Sequence, residues 1–199
     1  PGDEISLRAG EQGVRSYLAL RGGFVTQPVL GSSAFDTLAQ LGPAPLKAGD
    51  VLYAAKNPAQ AVQPEEKSAP WLPKEGDVVT LDVVPGPRTD WFDAQALTRL
   101  TSQPWRVTPQ SNRIGLRLAG EQPLARSVSA ELPSEGTCTG AIQVPASGQP
   151  VLFLKDRPLT GGYPVIGAVA DYHLDLAGQI PPGAVIRFRI LAPFGEITR

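Results

Sequence analysis

The sequence predicts a protein built mainly of β-strands, arranged as a barrel or a sandwich, with one real helix. The 199 residues include 21 glycines and 21 prolines, which indicates many turns and short strands. Between these turns lie short segments in which apolar and polar residues alternate, as they do in half-buried strands. The spacing of the turns is typical of barrels and sandwiches.

From residue 78 onward, seven segments have the composition or the alternation of strands. They are Val78–Val84, Trp105–Thr108, Ile114–Leu118, Ala141–Val144, Val151–Leu154, Val165–Ala170 and Val185–Leu191. The fourth and fifth segments flank a loop of Pro, Ala, Ser, Gly and Gln, which predicts that they pair as a hairpin. In the last segment, Arg187 and Arg189 are predicted to point outward, because the apolar residues between them point inward.

One helix is predicted between the first two of these strands. Asp90 is the expected N-cap of a helix over Trp91–Leu100, since a carboxylate there accepts hydrogen bonds from the first free amides. Phe92, Ala96 and Leu100 are four residues apart and predict an apolar stripe against the sheet. A single further helical turn is expected within Asp171–Gln179.

The first third of the chain predicts a smaller β subdomain. Gly13–Leu20 and Val51–Ala55 have strand patterns, and Val128–Leu132 is a weaker strand candidate later in the chain. The expected organisation is an N-terminal β subdomain over 1–56, a proline-rich linker over 57–75 and a barrel domain over 76–199. Because the chain begins with Pro1 and contains no Met, we expect that it continues upstream.

Composition excludes several classes of function. A net charge of −1 and scattered basic residues argue against nucleic-acid binding, and no apolar run approaches the roughly 20 residues that span a bilayer. One cysteine, Cys138, excludes an internal disulfide, favours the cytoplasm and, with one histidine, rules out a Cys/His zinc site. No phosphate-binding P-loop motif is present, and His173 has no G-x-S-x-G nucleophile motif to serve as a base.

The most suggestive segment runs from Ser134 to Pro164. Its second apolar run ends in Asp156 and Arg157, and a hydroxyl and two adjacent glycines follow at Thr160, Gly161 and Gly162. A rigid strand that delivers such residues into one loop favours a binding site. The same residues also suit an ordinary surface hairpin. Likewise, Ser111, Asn112 and Arg113 can hold an anion or only cap a turn.

Short motifs along nearly the whole chain resemble those of one family, in the same order. The resemblance rests on Arg15–Gly23, Pro28–Ser32, Leu46–Asp50, Pro85–Pro87 with Asp90 and Phe92, Ser111–Gly115, Ser134–Gly136, Gly140–Pro145, Gly148–Pro150, Asp156–Arg157 and Thr160–Pro164. These segments resemble the biotin-dependent carboxyltransferase family known as allophanate hydrolase subunit 2. The Kip antagonist and the C subunit of 5-oxoprolinase are similar to it.

The resemblance implies a cyclophilin-like β-barrel and a subunit of an enzyme that hydrolyses C–N bonds other than peptide bonds. The implied reaction is ATP-dependent cleavage of 5-oxoproline or of a urea-derived substrate, together with a subunit 1 or Kip-inhibitor-like partner. Biotin would have to arrive on another domain, because the chain has no biotinylation motif. Two alternatives are a regulatory protein that antagonises a histidine-kinase inhibitor and the carboxyltransferase domain of a urea carboxylase.

We expect the site to be built from the loop after the hairpin. Asp156 and Tyr163 are candidates for moving a proton, and Arg157 or Arg113 for holding a carboxylate or phosphate. The amides of Gly161 and Gly162 are candidates for stabilising an oxyanion. The remaining substrate-binding candidates are Thr160, Gln143, Ser111, Asn112 and Glu135.

Overall fold

The computed structural model describes residues 2–58 and 71–191. The chain divides into two compact units, one formed by Pro1–Arg15 with Trp71–Arg199 and the other by Ser16–Pro70. Most of the predicted linker, 59–70, lies outside the described residues. The predicted domain boundaries stay a prediction.

The larger unit is a β-barrel, which confirms the predicted fold class. Its strands and those of a small ribbon are β1 Val78–Pro85, β2 Trp105–Val107, β3 Gly115–Ala119, β4 Glu135–Gly136, β5 Ala141–Gln143, β6 Val151–Phe153, β7 Thr160–Gly161, β8 Val165–Val169 and β9 Val185–Ile190. Among the described residues, seven strands close the barrel in the order β1-β8-β5-β6-β3-β2-β9, and β4 and β7 form a separate two-stranded sheet.

The register of the barrel strands follows the hydrophobic pattern of the sequence. The predicted hairpin is confirmed, because β5 and β6 pair antiparallel with Ile142 opposite Leu152 and Gln143 opposite Val151. The barrel closes where β9 runs parallel to β1, with Leu81 opposite Phe188. Alternate residues of each strand point inward, and Leu81, Ile142 and Leu152 are completely buried in one continuous core.

The helix begins later than the sequence predicts. Helix α1 spans Ala94–Ser102, and its N-cap is Asp93, whose carboxylate accepts a hydrogen bond of 2.7 Å from the amide of Ala96. The predicted cap, Asp90, instead lies in a short 3-10 turn over Thr89–Trp91. The predicted apolar stripe is confirmed, since Phe92, Ala96 and Leu100 are all buried. The later helical turn is also confirmed, as a 3-10 turn followed by α2 Leu174–Ala177.

Three predicted strands are not formed. Gly13–Leu20 and Val51–Ala55 are irregular, and backbone pairing within residues 16–58 is limited to isolated bridges such as Phe24 with Ala54. Gly22 and Gly23 both adopt positive φ, which bends the chain where a ladder would have to continue. Val128–Leu132 is likewise irregular; the nearest pairing is an isolated bridge between Phe92 and Arg126.

Candidate functional site

A two-stranded ribbon covers the part of the barrel that carries several predicted site residues. In this ribbon β4 and β7 are antiparallel, with Glu135 opposite Gly161. A Cβ atom on Gly161 would lie only 2.6 Å from the Nε2 atom of Gln143, so a larger residue here would force the buried Gln143 amide to shift. The close approach of Gly161 is therefore to the protein itself, and its contact with a ligand stays a prediction.

Gln143 lies beneath the ribbon and supports the segment that follows it. Its side chain extends from β5, the residue is only 5% exposed, and Nε2 donates a hydrogen bond of 3.0 Å to the carbonyl of Tyr163. A buried amide with a satisfied bond of this kind fixes the backbone that it holds. The Tyr163 side chain is left about half exposed on the surface. Gln143 thus positions the segment from Gly161 to Tyr163.

Arg88 joins the end of β1 to the ribbon. Its Nε atom donates to Oε2 of Glu135 at 3.0 Å, and Nη2 donates to Oε1, which makes a bidentate fork. This hydrogen bonding to Glu135 raises the pKa of Arg88. The backbone amide of Arg88 donates to the carbonyl of Val165, the residue opposite Gln143 in β8. The fork and the buried amide therefore lie at the same end of the barrel.

We call Arg88, Glu135, Gln143, Gly161, Gly162 and Tyr163 the ribbon cluster. It offers a half-buried guanidinium, a carboxylate, a buried amide and an accessible phenol. The Arg88 fork is occupied by Glu135, so the carboxylate of a ligand would have to displace Glu135 or bind through the remaining donors of the guanidinium. Thr160 belongs to the same ribbon and is exposed.

The other predicted residues form a second group, beyond the opposite end of β6. Here Arg113 and Asp156 form an ion pair of 3.5 Å, and the amide of Asp156 donates to the carbonyl of Arg113. Arg157 follows directly, and its buried Nε atom has no hydrogen-bond partner within the described parts of the chain. We call Arg113, Asp156 and Arg157 the loop group.

Ser111 and Asn112 lie beside this group but make local bonds. The Ser111 hydroxyl accepts from the amide of Arg117 at 3.0 Å, and the Asn112 side chain accepts from the amide of Ile114 at 2.9 Å. These bonds shape the turn before β3 and support the turn-capping alternative. A role for either side chain in substrate binding stays a prediction.

The structure therefore divides the predicted site. Val151, at the start of β6, pairs with Gln143 of the ribbon cluster, whereas Asp156 follows the end of the same strand. The connecting chain is tied to the ribbon by Thr137, which bonds the carbonyls of Pro158 and Leu159. Asp156 and Tyr163, the alternative proton-transfer candidates of one predicted loop, make their contacts in different groups, and a catalytic role for either stays a prediction.

Comparison with known proteins places the chain in a family. Residues 1–190 match the carboxyltransferase domain, subdomain A and B. The chain belongs to this family. It is 35% identical to the C subunit of 5-oxoprolinase from Escherichia coli over 94% of its length, and 32% identical to the urea amidolyase of Lachancea kluyveri over 94%. The crystal structure of the Kluyveromyces lactis urea carboxylase matches with a TM-score of 0.76 and 27% identity over 86% of the chain.

The chain spans only part of each of these relatives. It covers 59% of the Escherichia coli protein, 11% of the urea amidolyase and 17% of the urea carboxylase chain. The relatives' names nevertheless agree with the resemblance carried by the sequence motifs. They establish that this carboxyltransferase-family chain is similar to parts of enzymes.

A third polar group of the carboxyltransferase-family chain was missed by sequence reasoning. The side chain of Asp82 is buried in the β1 wall and is held by Arg189, whose Nε and Nη2 atoms donate at 2.5 and 2.9 Å, and by the hydroxyl of Tyr172 at 2.7 Å. These bonds, that from Arg189 above all, lower the pKa of Asp82 to about 2. The bond to Asp82 also raises the pKa of Tyr172.

His173 completes this group in a structural role. Its Nδ1 atom accepts a hydrogen bond of 2.9 Å from the backbone amide of Asp82, so the neutral ring carries its proton on Nε2. Nδ1 also lies 4.0 Å from the Asp82 carboxylate. An Asp inside the apolar run VVTLDVV and an outward Arg on the last strand were the sequence signals for this group.

The rest of the described carboxyltransferase-family chain offers no alternative centre. Within residues 2–58 and 71–191 no three His, Cys, Asp or Glu side chains are grouped to hold a metal ion, and no helix there has the length and apolarity of a membrane span. A shallow groove of about 450 Å³ lies along α1, lined by residues such as Gln95, Thr98 and Glu121. It contains none of the predicted site residues, so we do not assign the function to it.

Proposed function

We propose that this chain is part of a multi-subunit enzyme that hydrolyses the amide bond of a small cyclic amide, 5-oxoproline, in the cytoplasm. The observation that carries the proposal is the 35% identity to the C subunit of 5-oxoprolinase across 94% of the chain. A subunit 1-type protein is the proposed partner. The energy would come from ATP, as the resemblance implies.

The loop group bears on the choice of substrate. 5-Oxoproline carries one carboxylate and one lactam group, and Arg157, whose buried Nε atom has no hydrogen-bond partner among the described residues, is suited to the first of these. Hydrolysis requires water to attack the lactam carbonyl, the C–N bond to break and the ring nitrogen to gain a proton. Asp156 is the proposed proton-transfer group if the substrate binds at the loop group, where Arg157 or Arg113 would hold its carboxylate. Tyr163 is the proposed proton-transfer group if the substrate binds at the ribbon cluster.

The described residues do not fit a nucleotide site of their own. The space above Gly161 is filled by the Gln143 amide, and a Cβ on Gly162 would lie 3.2 Å from the carbonyl of Leu132, so the two glycines form no open phosphate cradle. No carboxylate cluster for a nucleotide-bound metal is present in these parts of the chain. The ATP site would therefore lie elsewhere in the complex.

The test is turnover of 5-oxoproline by the complete protein with its subunit 1-type partner, with and without ATP. Asp156→Asn is expected to lower ATP-dependent turnover at least about a hundredfold, because a proton-transfer group would be lost. Asp3→Asn, an exposed change outside both groups, is the matched control. Near-normal turnover by Asp156→Asn would remove Asp156 from the chemistry.

Tyr163→Phe, measured in the same assay, tells the two groups apart. It removes only the phenol hydroxyl, at a half-exposed position of the ribbon cluster. If Tyr163→Phe lowers kcat and Asp156→Asn does not, the ribbon cluster carries the chemistry. If Asp156→Asn lowers kcat and Tyr163→Phe does not, the chemistry belongs to the loop group.

A second candidate function is carboxyl transfer to a urea-like substrate, with biotin supplied by another domain. Its support is the 32% identity to a urea amidolyase and the likeness to the urea carboxylase structure. Urea-dependent consumption of carboxyl groups from a biotinylated domain, without 5-oxoproline turnover, would favour it. Partner binding with no turnover of either substrate would favour the regulatory protein.

A further inference from the structure

Four arginines lie on the outer surface of three neighbouring barrel strands. Arg117 is on β3, Arg106 on β2, and Arg187 and Arg189 are on β9. All four are exposed, while their immediate strand neighbours, such as Phe188, are buried in the core. Alternation along each strand therefore places all four side chains on the outside of the barrel. We call these four residues the arginine face.

The strand register brings these arginines close together. Arg106 lies opposite Ala119 on β3 and opposite Val185 on β9, so Arg117 and Arg187 are its diagonal neighbours on either side. Diagonal neighbours are about 7–8 Å apart, and Arg187 and Arg189, two residues apart on one strand, are separated by about 7 Å. Four positive charges thus form a nearly continuous row.

The charge of this row is poorly balanced. Asp82 pairs with Arg189, but no carboxylate pairs with Arg106, Arg117 or Arg187 in the described ranges 2–58 and 71–191. The whole chain has a net charge of −1, so the row does not reflect a generally basic protein. Like charges at such spacing repel one another, and a partner that supplies negative charge would relieve the repulsion.

The surroundings of the arginine face favour a protein partner. Tyr172, bonded to Asp82 beside Arg189, is 66% exposed, and Val84 and Leu191 at the ends of β1 and β9 are also exposed. Arginine and tyrosine are enriched at protein interfaces, and aliphatic side chains add apolar area. The outer side of a sheet has no free row of amides to cradle phosphates, because those amides bond to neighbouring strands.

We propose that the arginine face is the docking surface for an acidic patch of the subunit 1-type partner. The proposal rests on the multi-subunit function proposed above, and it specifies which side of the barrel that partner covers. It is independent of the ribbon cluster and of Asp156, because none of the four arginines belongs to either group.

The test is the affinity of the complete protein for its purified subunit 1-type partner, measured by isothermal titration calorimetry. The double variant Arg106→Glu/Arg187→Glu is expected to weaken binding at least about tenfold, because each change places negative charge against an acidic patch. Wild-type affinity should also fall between about 50 and 300 mM salt. Arg106→Lys/Arg187→Lys keeps the charge and should retain most of the affinity.

Three controls make the result decisive. Arg8→Glu/Arg21→Glu makes the same change of net charge at exposed positions outside the barrel strands, and should leave the affinity unchanged. Circular dichroism and melting temperature check that each variant folds. Inorganic triphosphate is titrated into the wild type and the charge-reversed variant to test for a phosphate ligand.

Equal affinity of the wild type and Arg106→Glu/Arg187→Glu would overturn the proposal, as would a wild type that does not bind the partner. Triphosphate binding that is lost in this variant, with partner binding unchanged, would also overturn it. Failure of the proposed function can be told apart from failure of the docking proposal. If 5-oxoproline is not turned over but charge reversal still abolishes partner binding, the docking surface is supported and the proposed reaction is wrong.

Discussion

The barrel and the segment 16–58 both contain many apolar residues, but only those of the barrel are buried. Every described residue of the hydrophobic core belongs to the barrel unit, from Val79 to Phe188, whereas no described residue of 16–58 is buried. Leu30 and Leu38 of that segment are 95% and 86% exposed. Apolar residues alone therefore do not make a core. They become buried here only where alternation continues long enough for strands to pair in register.

The largest expected difference between the two regions is in the cost of removing a leucine. Leu152→Ala empties a fully buried position of the barrel core and should lower the free energy of unfolding by about 2–5 kcal/mol. Leu38→Ala removes a side chain that is mostly exposed and should change it by less than about 0.5 kcal/mol. Urea denaturation of both variants checks this. A loss at Leu38→Ala as large as at Leu152→Ala would contradict the contrast.

A smaller effect is expected at the start of α1, which packs against the barrel. Asp93→Ala removes the hydrogen bond to the amide of Ala96 and should lower the free energy of unfolding by about 1 kcal/mol. Asp90→Ala is the matched control three residues earlier, where no capping bond is made, and should cost less. If the Asp90→Ala variant is the less stable of the two, the helix begins where the sequence predicted.

An effect confined to acid solution is expected at Asp82. The Arg189 fork lowers the pKa of Asp82 from 3.8 to about 2, so folding favours its ionised form. This contribution to stability is complete above pH 3.8 and is lost as the pH falls towards 2, when the folded protein also binds the proton.

Asp82→Asn and Arg189→Gln should therefore be less stable than the wild type near neutral pH, and their deficit should shrink as the pH falls below 3.8. Unfolding free energies measured across this range check the prediction. A deficit that is constant down to pH 2 would mean that Asp82 does not titrate as its contacts with Arg189 and Tyr172 indicate.

Much of the barrel was predictable because the patterns that define its strands and turns lie within short segments of the sequence. The β5–β6 hairpin and the first and last strands, β1 and β9, were predicted from alternation and turn residues, and the structure contains all of them. The helix start was misplaced because Asp90 and Asp93 both precede apolar residues, and only the fold decides which one caps. The strands predicted in Gly13–Leu20 and Val51–Ala55 failed because no neighbouring strand pairs with them in a ladder among the described residues.

The candidate site was less predictable because its contacts connect distant parts of the chain. Arg88 meets Glu135 across 47 residues, and Asp82 meets Arg189 across 107. The sequence identified the segment from Gln143 to Tyr163 but not the amide-to-backbone bond that organises it. It placed Asp156 and Tyr163 in one loop as alternative proton carriers, but it did not show that Asp156 pairs with Arg113 while the Tyr163 carbonyl is held by Gln143.

The closing seam between β1 and β9 has a consequence for how the protein is made. These strands are the first and last of the barrel, and their parallel pairing cannot begin until the ribosome has released the residues up to Ile190. β1 has no partner on either edge until β8 has been made, and its second edge stays unpaired until β9 follows. Contacts this distant in sequence also make folding slow. The nascent barrel should therefore depend on chaperones during its synthesis.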